Sequence, residues 1–318
     1  MPAISVSAPG KIILFGEHAV VYGYPAIAAP VTQVKAKAIV NANPLAAPGN
    51  IHIQAPNIGL DANLVDLPAE HPLVAAIQAV AQFLGAHRLP ACSIRITSSI
   101  PVAAGLGSGA AVSVALIRAL SAFLGKPMSN EDVSALAYQV EKLYHGTPSG
   151  IDNTVITYEQ PVYFVREQPI RRLAVGKPFT VVIGDTGVGC PTAITVGDLA
   201  QAWRSDPEPL RREFNPIGRI TESARQAIEG GNIAELGPLM TANHQHLQTL
   251  GVSSPELDRL VGAAREAGAS GAKLSGGGRG GNMIALVDSS RAPIVADALQ
   301  EACAVRTIIT EVKLQERR

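Results

Sequence analysis

Aromatic residues are scarce in this chain, at 4% of 318 residues. The hydrophobic share is nevertheless 47%, so a large core is expected, built mainly of Ala, Val, Leu and Ile. Net charge is also lacking, since 26 Lys and Arg balance 26 Asp and Glu. A nucleic-acid partner, which calls for a basic surplus or stripe, is not expected. The basic pair Arg171 and Arg172 is short and reads as solvated surface. Cysteine is limited to Cys92, Cys190 and Cys303. They are odd in number and far apart, which excludes a disulfide framework and a paired metal spacing. The expectation is a reducing cytoplasm with all three as small core residues. The N-terminal stretch has no basic n-region of a signal peptide. The most apolar helical stretch, 110–124, is interrupted by Arg118 and is too short to span a bilayer. A soluble cytoplasmic protein without membrane contact follows as the expectation.

The length suits one large domain or two ordinary ones. Strand-like runs are expected at 4–8 and 12–15, split by Pro9 and Gly10, and at 26–40, with Pro30 marking a break. Residues 41–50 read as a turn. Residues 71–84 predict a helix, and 92–100 a strand in which Ile94 and Ile96 alternate with Arg95 and Thr97. The run 110–124 is apolar nearly all round, as in a core helix. Ser129 is a candidate cap for a helix to about 144, with Glu131 and Asp132 in its first turn. Residues 145–153 then break it, and 155–158 and 162–165 read as strands. Beyond a soft boundary at 176–178 a strand is expected at 179–184. Helices at 196–203, 214–228, 233–250 and 255–267 follow, then strands at 272–274, 282–287 and 307–312. This order implies an α+β fold of two domains, 1–177 and 178–318, with no internal repeat and no low-complexity segment.

Four constellations can carry chemistry. In 105–109, Gly105, Gly107 and Gly109 alternate with Leu106 and Ser108 between a strand and a helix. Glycines let backbone N–H groups approach a ligand, and the helix points its positive end there, which together read as a phosphate cradle. It is not a Walker A loop, because no Gly-Lys-Ser/Thr follows. Residues 110–130 contain no Asp or Glu, so the acidic residue of a dinucleotide fingerprint is missing. The second is 10–26, where Lys11, Glu17 and His18 flank an apolar strand. The third joins Glu141 on a helix to Asp152 after a Pro-Ser-Gly turn. A carboxylate so placed can accept a substrate hydroxyl proton, and a nearby Lys11 would keep it ionised. Glu141 would serve Mg²⁺, which favours one or two carboxylates plus phosphate oxygens. The fourth is 273–281, KLSGGGRGG, with five glycines in nine residues. It reads either as a hairpin loop or as a second backbone surface against phosphate or substrate.

These segments carry a resemblance. GKIILFGEHAVVYGYPAIA, PVAAGLGSGAA, EKLYHGTPSGIDNTV and KLSGGGRGG, in that spaced order, resemble the GHMP small-molecule kinases, and within them the mevalonate kinase family. The resemblance implies a two-domain α+β fold with the active site in the interdomain cleft, ATP and Mg²⁺ as cofactors, and phosphorylation of the 5-hydroxyl of mevalonate. It implies that Asp152 is the catalytic base and that Lys11 sits beside it and stabilises charge. Ala104, Gly105, Leu106, Gly107, Ser108, Gly109 and Ala110 would bind the nucleotide. Glu17, His18, Thr192 and Gly277 would bind substrate, and Glu141 and Ser108 the metal. The family commonly has a serine where this chain has Gly109, which leaves Ser108 or water to replace that ligand. Other acceptors stay open: homoserine, a sugar, phosphomevalonate, or mevalonate at another hydroxyl. So do a non-catalytic nucleotide-binding protein and a homodimer.

Overall fold

The computed structural model describes residues 3–101, 105–145, 148–169, 171–189 and 192–314. They fall into two compact units. The first is made of the described residues of Met1–Gly10, Val34–Pro101 and Gly107–Tyr158. The second is made of those of Lys11–Gln33, Val102–Leu106 and Glu159–Arg318. The division therefore runs through two long strands, β1 (Ile4–Phe15) and β2 (Ala26–Ala42).

In the first unit, β3 (Ile51–Ala55), β4 (Leu60–Asn63), α1 (Pro72–Phe83), β5 (Cys92–Ser98), α2 (Ser108–Phe123), α3 (Asn130–His145) and α4 (Ile151–Tyr158) complete the fold. The sheet order is β4-β3-β5-β2. β5 pairs antiparallel with β2, Ile96 opposite Ala38 and Ile94 opposite Val40. It pairs parallel with β3, Ile94 opposite Ile53. The alternation along β5 buries Cys92, Ile94 and Ile96 and exposes Arg95, the period-2 signature of a half-buried strand. α2 is buried on most sides because α1, α3 and α4 all pack against it. Its small residues, from Ala110 to Ser121, allow that close approach. α3 starts as its sequence predicts: the Asp132 amide donates to Ser129 Oγ at 3.1 Å.

The second unit holds β6 (Val162–Phe164), β7 (Arg171–Arg172), β8 (Phe179–Asp185), α5 (Thr192–Ser205), α6 (Pro207–Gly230), α7 (Leu236–Thr249), α8 (Pro255–Glu266), β9 (Gly271–Ser275), β10 (Asn282–Val287), α9 (Ala292–Glu301) and β11 (Arg306–Val312). Four strands form an antiparallel sheet in the order β11-β8-β10-β9. Helices α7, α8 and α9 pack on its strands. An aromatic cluster forms in this unit: Tyr22 stacks on Phe214 at 4.9 Å and lies 4.5 Å from Trp203.

Several elements differ from the sequence reading. Residues 155–158, read as a strand, close helix α4. Its β-branched residues favour strands in isolation, but Ile151 and Val155 share one buried helical face. The Thr154 hydroxyl returns to the Gly150 carbonyl at 2.7 Å, one turn earlier. β1 runs unbroken through Pro9 and Gly10, and β2 through Pro30. The strands β3 and β4 and helix α9 went unread in the sequence.

Candidate active site

In the second unit the site is built around β1. Lys11 is 4% exposed, and its backbone amide donates to the Leu106 carbonyl at 3.0 Å. Two residues on, the Ile13 amide donates to Ser275 Oγ at 3.1 Å, and that hydroxyl donates to the Ile13 carbonyl at 2.9 Å. At Gly16 the chain turns with φ 91°. A Cβ there would stand 2.3 Å from the Pro25 carbonyl oxygen, so only glycine fits this crossing.

The turn delivers Glu17 into the interior. Glu17 Oε1 and Lys273 Nζ form an ion pair with both side chains at 0% exposure. Lys273 also donates to the Leu274 carbonyl. Burial raises the Glu17 pKa and lowers that of Lys273, while each partner opposes the shift of the other. Lys11 lies within electrostatic reach and also favours the ionised Glu17. Lys273 and Ser275 alternate with Ala272 and Leu274, which join the hydrophobic cluster of the unit. One face of β9 therefore packs the core and the other ties down β1.

His18 follows with φ 61° and ψ −50°. The Ala19 amide donates to the Glu17 carbonyl across it at 2.6 Å. This is the γ-turn of positive φ, a rare and strained form worth about 1–3 kcal/mol of backbone cost. The His18 ring is 6% exposed and hydrogen-bonds the backbone of Gly277. Burial holds its pKa down to about 4, so the imidazole is neutral at physiological pH. Its Nε2 has no hydrogen-bond partner among the described residues.

The glycine runs converge in the same unit. A Cβ at Gly276 would lie 3.8 Å from the Gly105 carbonyl, and one at Gly105 would lie 4.0 Å from Asn282 Nδ2. Leu106 is buried and anchors the loop, with Gly105 exposed beside it.

The first unit holds the other predicted residues. Gly107 caps α2 with φ 74°, a left-handed position that suits glycine. Ser108, Gly109 and Ala110 form the first turn, whose N–H groups have no acceptor within the helix. That end carries the positive pole of a 16-residue helix. Asp152 stands half-buried in the first turn of α4, not ahead of a strand. The turn before it is fixed: Ile151 N donates to Ser149 Oγ at 3.3 Å, and Tyr138 Oη to the Pro148 carbonyl at 3.3 Å. Asn153 Nδ2 donates to the carbonyl and hydroxyl of Ser134 at 3.1 and 2.9 Å. Ser134, Tyr138 and Glu141 recur at helical spacing on α3, so half-buried Glu141 shares the face that meets α4 and its turn.

The structure thus places Lys11, Glu17, His18, Gly105, Leu106 and Gly277 in one unit, and Gly107 to Ala110, Glu141 and Asp152 in the other. Ala104 lies outside the described residues, as does the side chain of Thr192, which opens α5. The sequence reading passed over Lys273, Ser275 and Asn282. The signal for Lys273 was a lysine inside an otherwise apolar strand, adjoining a glycine run. Among the described residues no three His, Cys, Asp or Glu side chains cluster as a metal cage. A hard carboxylate at Glu141 and a hydroxyl at Ser108 are the donor types Mg²⁺ takes when phosphate oxygens supply the rest.

Comparison with known proteins decides the family. The GHMP kinases N terminal domain matches residues 72–160 and the GHMP kinases C terminal domain residues 224–305. The chain is 38% identical to a mevalonate kinase of Thermococcus sibiricus, over 92% of this chain and 91% of that one. The chain belongs to the GHMP kinase family. This GHMP kinase is also 37% identical to a mevalonate kinase of Pyrococcus abyssi, covering 89% of the chain and 88% of the relative. Among solved structures it matches the L. major mevalonate kinase in complex with R-mevalonate, with a TM-score of 0.81 and 30% identity. That match covers 97% of this chain and 95% of the other. The two-domain α+β fold and the use of ATP follow from membership. Among the described residues no helix is long and apolar enough to cross a membrane.

Proposed function

We infer that this chain is a mevalonate kinase of the cytoplasm, transferring the γ-phosphoryl group of ATP to the 5-hydroxyl of mevalonate for isoprenoid precursor synthesis. The observation that carries this reading is the 38% identity, over nearly the whole length, to a protein of that name. Asp152 accepts the proton of the attacking hydroxyl as the oxygen–phosphorus bond forms. Lys11 offsets negative charge on the phosphoryl group, and the first-turn amides of α2 hold phosphate oxygens. Glu141 and Ser108 would hold Mg²⁺, which would supply charge neutralisation on the phosphates. His18 and Glu17 serve the substrate side, with Gly277 and Thr192. Residues 1–177 carry the nucleotide and catalytic groups, and 178–318 complete the substrate contacts. Positioning and electrostatics then supply most of the rate, as phosphoryl transfer requires.

The test is a panel of alcohols with Mg²⁺ and ATP: mevalonate, homoserine, galactose and phosphomevalonate. ADP release and phosphorus NMR of the product report the acceptor and the position. The expected result is turnover of mevalonate alone, phosphorylated at O5. Robust turnover of another alcohol beside inert mevalonate would overturn the assignment.

A further inference from the structure

The proposed chemistry leaves two features of the second unit unexplained: a fully buried lysine, and the strained backbone of a turn with no glycine in it. Lys273 is on β9, 256 residues from its partner Glu17. A lysine with no exposure is costly unless it is paired, and breaking such a pair strands the remaining charge. Its partner is the residue whose carbonyl closes the γ-turn over His18. A non-glycine residue stays in such a conformation only when its surroundings fix both sides of it. The following side is fixed by Ala19, which is buried in the hydrophobic cluster. The preceding side is fixed by Glu17, whose carboxylate pairs with Lys273. The ring itself is held by the backbone of Gly277, in the glycine run that continues β9.

We propose that Lys273 is a positioning residue which, through its buried ion pair with Glu17, holds His18 in the strained γ-turn and so presents His18 Nε2 to the acceptor substrate. β9 then does two things at once. Ser275 sets the height of β1 at Ile13, and Lys273 sets the turn that follows it. The free Nε2, buried and without a protein partner among the described residues, is the group that this arrangement leaves available for a substrate oxygen. The inference rests on the reading of His18 as a substrate contact, and it assigns Glu17 a supporting part through Lys273.

The experiment compares the full-length wild type with Lys273→Met, Glu17→Gln, the Lys273→Met/Glu17→Gln double variant, and Lys273→Met in a His18→Ala background. Lys273→Met is expected to raise the mevalonate KM about tenfold or more while the ATP KM moves less than about threefold. The double variant removes both buried charges together, so no carboxylate is stranded. It is expected to recover the wild-type Tm and keep the mevalonate defect. In the His18→Ala background Lys273→Met should add less than about twofold, the non-additivity of residues acting as one unit. A double variant that restores both Tm and mevalonate KM would overturn the proposal, as would full additivity with His18→Ala. If Lys273→Met alone does not fold, Glu17→Gln and the double variant give the same decision.

A second readout needs no substrate. In imidazole NMR spectra the His18 resonances, assigned by their loss in His18→Ala, should shift in the double variant to those of a solvated histidine. Unchanged resonances would overturn the proposal. A wild type that leaves mevalonate untouched would instead remove the proposed function, and the NMR result would still decide whether Lys273 holds the turn.

Discussion

The backbone amide of Lys11 donates to the carbonyl of Leu106 at 3.0 Å. One hydrogen bond thus ties the strand that bears Lys11 to the glycine loop at 105–109. Leu106 is 2% exposed and is the apolar anchor between two glycines of positive φ. Truncating it removes that anchor and leaves a cavity. Leu106→Ala is expected to cost about 2–4 kcal/mol of stability. It should also raise the ATP KM more than the mevalonate KM, because the loop loses its seat. Urea midpoints and steady-state kinetics check both effects.

Asp152 stands in the first turn of an eight-residue helix whose start is fixed by Ser149, Tyr138 and the Asn153–Ser134 contacts. Asparagine fills nearly the same volume, so Asp152→Asn should fold as the wild type does. The lost proton acceptor is expected to lower kcat by about 10²–10⁴-fold. The mevalonate KM should change little. Asp152→Asn with undiminished turnover and an unchanged Tm would remove Asp152 as the base.

Much of this was legible in the sequence, and the gaps have physical causes. The strand β5, the buried helix α2 and the Ser129 cap follow from local periodicity and capping chemistry, which a sequence carries directly. Helix α4 did not, because its β-branched residues favour a strand locally while packing against α2 and α3 decides the outcome. Glu17 and His18 were picked out by the first motif, yet the γ-turn centred on His18 carries no glycine to announce it. The ion pair to Lys273 joins residues 256 positions apart. No local pattern reports such a contact, although the lysine stood out within an otherwise apolar strand.

Gly109 occupies the place where a serine is common in the family. It lies in the first turn of α2, and a Cβ there would meet nothing within 4 Å. Gly109→Ser is therefore expected to be tolerated, with a gain of up to about 0.5 kcal/mol from helix propensity. A hydroxyl beside Ser108 adds a hard oxygen donor. The Mg²⁺ concentration for half-maximal rate should fall about two- to tenfold, as expected for one added polar contact of about 0.5–1.5 kcal/mol. Magnesium titrations at fixed ATP, beside a thermal melt, measure the two effects separately. An unchanged Mg²⁺ dependence would show that water already fills this role.

His244 is buried on α7, with Nδ1 accepting from the Leu274 amide at 3.3 Å and Nε2 facing Asp258 Oδ1 at 3.1 Å. The first contact needs an unprotonated Nδ1, so the native ring is neutral and donates through Nε2. Burial, reinforced by the charges of Lys273 and Arg265 and opposed by Asp258, holds its pKa down to about 4 from 6.5. The unfolded chain therefore binds more protons than the native one between those values, and stability rises with pH across that window. In the acid direction, the contribution of His244 is whole above pH 6.5 and is lost as pH falls toward 4. Its size is of the order of 3 kcal/mol at most. His18 adds a loss of the same sign, whereas Glu17, whose pKa is raised, acts oppositely above 4.5. The comparison that isolates His244 is the slope of the urea midpoint against pH for wild type and His244→Gln. The variant should be less stable at pH 7 and should show a flatter slope between pH 6.5 and 4. Parallel slopes would mean that the imidazole keeps its ordinary pKa in the folded protein.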